Sequence, residues 1–105
     1  MIFDEVDAGI GGEAATAVGE KISRLGKTLQ VLCVTHLPQV AAFADHHYLV
    51  AKEETHGRTA TKLNLLNSEA RITEMARMLG GLHVGEKTLI HAHELIESSR
   101  AAVAN

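Results

Sequence analysis

Residues 2–12, Ile-Phe-Asp-Glu-Val-Asp-Ala-Gly-Ile-Gly-Gly, set two adjacent carboxylates, Asp4 and Glu5, at the end of an apolar run and directly before a glycine-rich turn. Chemistry on a nucleoside triphosphate needs one carboxylate to hold magnesium, usually through water, and a neighbour to orient or deprotonate the attacking water. Asp4 and Glu5 match those two roles in that order. The same pair has a plainer reading, in which two acids end a strand and precede a helix whose N-terminus favours negative charge.

Residues 31–39, Val-Leu-Cys-Val-Thr-His-Leu-Pro-Gln, add a second strand of buried type that ends at Thr35-His36. A helix-like segment lies between the two strands. Strand, helix, strand at a spacing of about thirty residues makes a parallel βαβ unit, and both strands then end on the same edge of the sheet. Asp4, Glu5 and His36 would therefore converge. A histidine taken alone is more often a hydrogen-bonded structural residue, but beside an acidic strand end it is a candidate sensor of a terminal phosphate.

These residues carry a resemblance. Phe3-Asp4-Glu5-Val6-Asp7 resembles the Walker B strand of the ATP-binding-cassette (ABC) ATPases, in the form used by the structural-maintenance-of-chromosomes (SMC) branch, and Val34-Thr35-His36 resembles that group's switch-histidine strand. Longer blocks at 4–14 (Asp-Glu-Val-Asp-Ala-Gly-Ile-Gly-Gly-Glu-Ala), 34–42 (Val-Thr-His-Leu-Pro-Gln-Val-Ala-Ala) and 76–81 (Ala-Arg-Met-Leu-Gly-Gly) are similar, in order and over nearly the whole chain, to the C-terminal part of the RecN family of bacterial DNA-repair proteins. The resemblance implies that Asp4 is the magnesium-side acid, that Glu5 is the base that activates water, and that His36 contacts the γ-phosphate. It places Asp7, Gly9, Gly11 and Gly12 in the D-loop, which in a head-to-head dimer crosses toward the other subunit's nucleotide. Relatives in the chromosome-maintenance branch usually carry an aspartate where this chain has Gly11, so the D-loop's polar contact is a departure; RecN-like sequences share the glycine.

The resemblance further implies ATP and Mg2+ as ligands of the complete protein, and ATP hydrolysis that drives head engagement during recombinational repair of DNA double-strand breaks. Its implied partners are the remainder of the head and a coiled coil, a second copy of the chain, and DNA. Its implied location is the bacterial cytoplasm at the nucleoid. What the chain lacks qualifies this. No Gly-x-x-x-x-Gly-Lys-Ser/Thr phosphate loop occurs, so no backbone cradle and no lysine serve the β- and γ-phosphates. Gly9, Gly11 and Gly12 are followed by Glu13, the wrong charge for that task. The family's Ser-Gly-Gly signature and glutamine loop are absent as well. The expectation is one partial ABC-type head domain over 1–105, which in isolation binds neither ATP nor magnesium tightly. A non-catalytic dimerisation or association module is the alternative.

A chain of 105 residues, 46% hydrophobic, can bury one core, and with only Phe3, Phe43 and Tyr48 as aromatics that core must be aliphatic. Net charge is −3 with no basic run, so the chain offers no electrostatic footprint for nucleic acid. Cys33, the lone cysteine, cannot form an intrachain disulfide and suits a reduced interior. No stretch approaches the ~18 apolar residues of a membrane span, and no membrane partner is expected.

The pattern predicts an α/β fold: a small parallel sheet with flanking helices, a β-hairpin, and two C-terminal helices. Strands are expected at 1–4 and 29–35. The helix at 12–26 has Ala15, Val18, Ile22 and Leu25 on one face and Gly26 as its cap. The strand at 29–35 reads as covered on both faces. Pro38 opens a short helix to 43. A hairpin spans 47–52 and 59–66 around Gly57, Ser68 caps a helix to 79 closed by Gly80-Gly81, and a last helix covers 86–103.

The seven histidines invite a zinc reading. However, His46 and His47 are adjacent on a strand and point apart, and His91 and His93 are about 200° apart on a helix, so exposed or capping roles account for them better. Arg71, Arg77 and Arg100 could reach a phosphate, yet Glu74 lies three residues from both Arg71 and Arg77 and is the expected ion-pair partner. Met75, Met78 and Leu79 read as core.

Overall fold

The apolar residues spaced three and four apart after Gly12 wind onto one face of helix α1 (Gly12–Leu25), where Ala15 is fully buried and Val18 and Ile22 are half-buried. In the computed structural model, which describes residues 1–4 and 11–104, this helix connects strand β1 (Ile2–Asp4) to strand β2 (Leu32–Val34). The strands pair in parallel, with Ile2 opposite Leu32, Phe3 opposite Cys33 and Asp4 opposite Val34. The order continues with helix α2 (Pro38–Ala41), strands β3 (Tyr48–Thr55) and β4 (Arg58–Leu65), and helices α3 (Ser68–Gly80) and α4 (Glu86–Ala102). The fold is thus mixed α/β, with a small parallel sheet, a separate antiparallel hairpin and two C-terminal helices.

Several boundaries differ from expectation for identifiable reasons. Strand β2 is shorter than 29–35 because the chain leaves α1 through a tight turn, in which the Leu29 N–H donates to the Leu25 carbonyl at 3.0 Å. It is also not covered on both faces. Phe3 and Cys33 are half-buried on one side, whereas Ile2, Leu32 and Val34 on the other are 72%, 49% and 44% exposed. The hairpin strands run further toward the turn than 47–52 and 59–66. His56 and Gly57 both hold positive φ, 52° and 75°, the two-residue geometry that matches strand twist and lets the ladder continue to Thr55 and Arg58. Helix α3 is capped by Asn67, not Ser68: the Asn67 side-chain oxygen accepts from the Ala70 N–H at 2.8 Å, which makes Ser68 the first helical residue. Gly81, at φ 64°, closes that helix as its Gly-Gly ending implied.

Helices α3 and α4 pack together around an aliphatic core of Ala41, Ala42, Met75, Ala76, Ala92 and Ile96. Met75 is wholly enclosed, as the Met75, Met78, Leu79 stripe required. The expected pairing of Arg71 with Glu74 is not made. Glu74 binds Arg77 instead, Nε to Oε2 at 2.9 Å, and Arg71 turns inward. Its Nη2 donates to the carbonyls of Ala41, Ala42 and Ala44 at 3.2, 3.3 and 2.7 Å. These carbonyls lie at the C-terminal end of α2, where a helix leaves acceptors unpaired and favours a cation.

Helix α1 docks on α2 through Gly19, which is buried. A Cβ there would stand 2.6 Å from Phe43 Cδ2 and 3.1 Å from the Gln39 carbonyl oxygen. Gly19→Ala should therefore destabilise the fold by about 1–3 kcal/mol, the cost of overpacking, although helix propensity alone would favour alanine by roughly 1 kcal/mol. Urea unfolding decides the sign, and a stabilised variant would mean that α1 and α2 are not held in this close contact.

Candidate functional site

Parallel pairing brings the C-terminal ends of β1 and β2 to one edge of the sheet. Asp4 is the last residue of β1 and is exposed; its register partner, Val34, is the last residue of β2. His36 follows two residues later, also exposed, in the connection between β2 and α2. That connection is held locally. The Leu37 N–H donates to the Thr35 hydroxyl oxygen at 3.0 Å, and Pro38 starts α2, where its missing N–H would have no helical partner. The Thr-His-Leu-Pro sequence thus turns the chain just past the strand end, with His36 exposed in the turn.

Glu5, Asp7 and Gly9 lie outside the described residues. Gly11 and Gly12 form the start of α1. Gly11 is its N-cap, in extended conformation with φ −83° and ψ 176°, and offers no side chain to cap the helix. A Cβ at Gly11 would meet nothing within 4 Å, so packing does not require glycine there. A Cβ at Gly12 would lie 3.9 Å from Gln39 Nε2. The Gln39 amide therefore lies beside the start of α1. Nothing in residue type or spacing singled it out beyond its place in the same Thr-His-Leu-Pro-Gln block.

Acid at the end of one strand, histidine two residues past the end of its parallel neighbour and a glycine at the helix start thus belong to one strand-helix-strand unit. Other proteins carry a similar stretch. The chain is 55% identical to the DNA repair protein RecN of Deinococcus radiodurans and 51% identical to that of Vibrio cholerae, each over 96 residues that cover 91% of this chain. The RecN of Halalkalibacterium halodurans is 44% identical over 105 residues, all of this chain. The chain belongs to the RecN family. It matches a C-terminal segment of these relatives and spans 17–19% of their length. No protein-family model matches it.

Away from this edge, a second group of polar residues gathers where the hairpin meets α3 and α4. His47, expected as an exposed or capping residue, is half-buried, and its Nδ1 is enclosed with no hydrogen-bond partner among the described residues. Burial pushes the His47 pKa below the usual 6.5, the Arg71 charge pushes it the same way, and Glu74 opposes. The folded state consequently binds fewer protons at this site than the unfolded chain. The stability that depends on a neutral His47 is complete above pH 6.5 and is lost as pH falls through the lowered folded-state pKa. In denaturant midpoints measured across the mildly acidic range, His47→Gln should show a shallower loss than the wild-type chain. Parallel curves for the two would remove His47 as a source of acid sensitivity.

Proposed function

We propose that this RecN-family segment is part of an SMC-like, ABC-type ATPase head acting in recombinational repair of DNA double-strand breaks, and that it contributes the Walker B and switch-histidine residues to ATP hydrolysis. The observation that carries the reading is the β1–β2 register, which puts Asp4 and the His36 segment on one sheet edge in a chain similar to proteins named for DNA repair. Under this reading the rest of the head, including a phosphate loop and signature motif, comes from sequence outside this segment, which spans less than a fifth of its relatives' length.

The donor chemistry fits magnesium. An exposed carboxylate at a strand end is the hard oxygen ligand that this ion takes, one or two at a time, alongside waters and substrate phosphates. Bound there with ATP, the ion would supply neutralisation of charge on the β- and γ-phosphates. Asp4 would hold it, Glu5 would take the proton of the attacking water, and His36 would hydrogen-bond the γ-phosphate and report its presence. Asp7, Gly9, Gly11 and Gly12 would form the D-loop toward a second head in a homodimer, with a coiled coil and DNA as the other partners of the complete protein. In the complete protein, Glu5→Gln should leave ATP binding largely intact and slow hydrolysis by roughly a hundredfold or more, as for a lost general base. The variant should accumulate as an ATP-bound dimer. His36→Ala should also slow turnover, with magnesium affinity retained. Turnover within a few-fold of wild type in Glu5→Gln would remove Glu5 from the role of base.

One feature favours a second role for the isolated segment as an association module. Parallel sheets are normally covered on both faces, yet Ile2, Leu32 and Val34 present a bare apolar face here, and the paired strands leave open edges. The isolated chain should sediment as a dimer or larger. A stable monomer at the highest soluble concentration would count against self-association through this face.

A further inference from the structure

Arg71 is only 6% exposed, and no carboxylate among the described residues lies within ion-pair distance of it. Buried charges are ordinarily paired, whereas here the Asp45 carboxylate favours the guanidinium charge without coming within ion-pair distance. Its three nitrogens are not equivalent. Nη2 is committed to the carbonyls of Ala41, Ala42 and Ala44, and Nε is enclosed without a partner. Nη1 is neither bonded to a described residue nor enclosed, and Arg71 lines a hollow of about 250 Å³.

The hollow supplies further donors. Arg100 also lines it, close enough that its charge disfavours that of Arg71. The first turn of α3 opens onto it through Asn67 and Ser68; Asn67 Oδ1 bonds the Ala70 N–H, and the preceding N–H groups of a helix start have no partner within the helix. Two acids line the hollow as well. Glu97 makes only long contacts, 3.9 Å to Arg100 and 3.8 Å to His93, and Asp45 makes no ion pair among the described residues. The volume lies below the ~300 Å³ at which pockets begin to hold drug-sized ligands. Two guanidinium groups, a hydroxyl and a helix N-terminus lining one small space offer donors to an anion with several acceptor oxygens.

We propose that this hollow, bounded by Arg71, Arg100, Asn67 and Ser68, binds a single phosphate group. The group displaces Glu97 from Arg100 and gives Arg71 a counter-charge at closer range than Asp45 does. The site is separate from the Asp4–His36 edge and does not depend on the ATPase reading. The phosphate could be free or belong to a nucleic-acid backbone, since both present the same oxygens.

The test is a titration of the 105-residue chain with inorganic phosphate, followed by nitrogen-15 NMR of the arginine Nε–H and histidine ring signals, with sodium chloride at matched ionic strength as control. Phosphate should shift the Arg71 and His47 signals saturably, and chloride should not. Arg100→Gln, an exposed position that leaves the Arg71 anchors intact, should weaken the response by about tenfold, the scale of one charge-assisted hydrogen bond. A short single-stranded oligonucleotide that shifts the same signals would assign the phosphate to nucleic acid; phosphate acting without it would assign a free anion. No saturable shift from either, an equal shift from chloride, or an unchanged response in Arg100→Gln would overturn the proposal.

Discussion

The insertion of Arg71 into the end of α2 is the contact on which the arrangement of this chain turns. Helix α2 is four residues long and cannot stabilise itself, because nucleating a turn costs more than a few hydrogen bonds return. It persists because its buried face, Val40 and Ala41, joins the core and because one guanidinium on α3 satisfies the carbonyls at its C-terminal end. Hydrogen bonds to a charged donor contribute about 1.5–3 kcal/mol in favourable settings; here the two hydrogens of one nitrogen are shared among three carbonyls, of which that of Ala41 also accepts from the Ala44 N–H. Since α2 begins two residues after His36, fixing α2 also limits where the chain can leave β2.

The same logic ties the first unit to the last helix. Beyond the Gly19–Phe43 contact, the end of α1 and the turn after it reach the C-terminus of α4. Arg24 donates to the Ala102 carbonyl at 3.1 Å, and Lys27 to the Val103 carbonyl at 2.6 Å. Both place cations on carbonyls that a helix C-terminus leaves free. The exposed pairs elsewhere, Glu20 with Arg24 and Glu53 with Lys62, lie in solvent and add little. These contacts tie the helix that joins the two strands, and the segment after β2, to the C-terminal helices.

How much of this could be read beforehand follows from the kind of force involved. The order of elements was legible because it rests on local signals: the three-and-four spacing of α1, Pro38 at a helix start, Gly57 at a turn and the glycines after α3. The common edge for Asp4 and His36 was legible because a strand-helix-strand unit admits almost only parallel pairing. The fate of Arg71 was not. Arg71 and Arg77 flank the same Glu74 at equal spacing, and only the tertiary position of α2 decides that Arg77 takes the acid while Arg71 takes the carbonyls. The burial of His47 and the contact at Gly19 are hidden for the same reason. The extra strand length at the hairpin was missed because His56 adopts positive φ, which residue type alone does not announce.

The uneven covering of the small sheet bears on the proposed role. Two strands of three residues form few ladder bonds, and parallel pairing is the weaker kind per residue. Such a sheet holds Asp4 near the β2 end only as firmly as the half-buried Phe3 and Cys33 face anchors it, because the Ile2, Leu32 and Val34 face contributes no comparable burial. In a larger head, further strands and helices on that bare face would add burial and ladder bonds to the edge where hydrolysis is proposed. Catalysis by positioned groups loses rate steeply when their geometry loosens, since the advantage lies in prepaid orientation. Under the proposed reading, the bare apolar face and the chemistry at the strand ends are thus linked: whatever covers the first also fixes the second, and an uncovered segment would be a poor catalyst even if a phosphate loop were supplied separately.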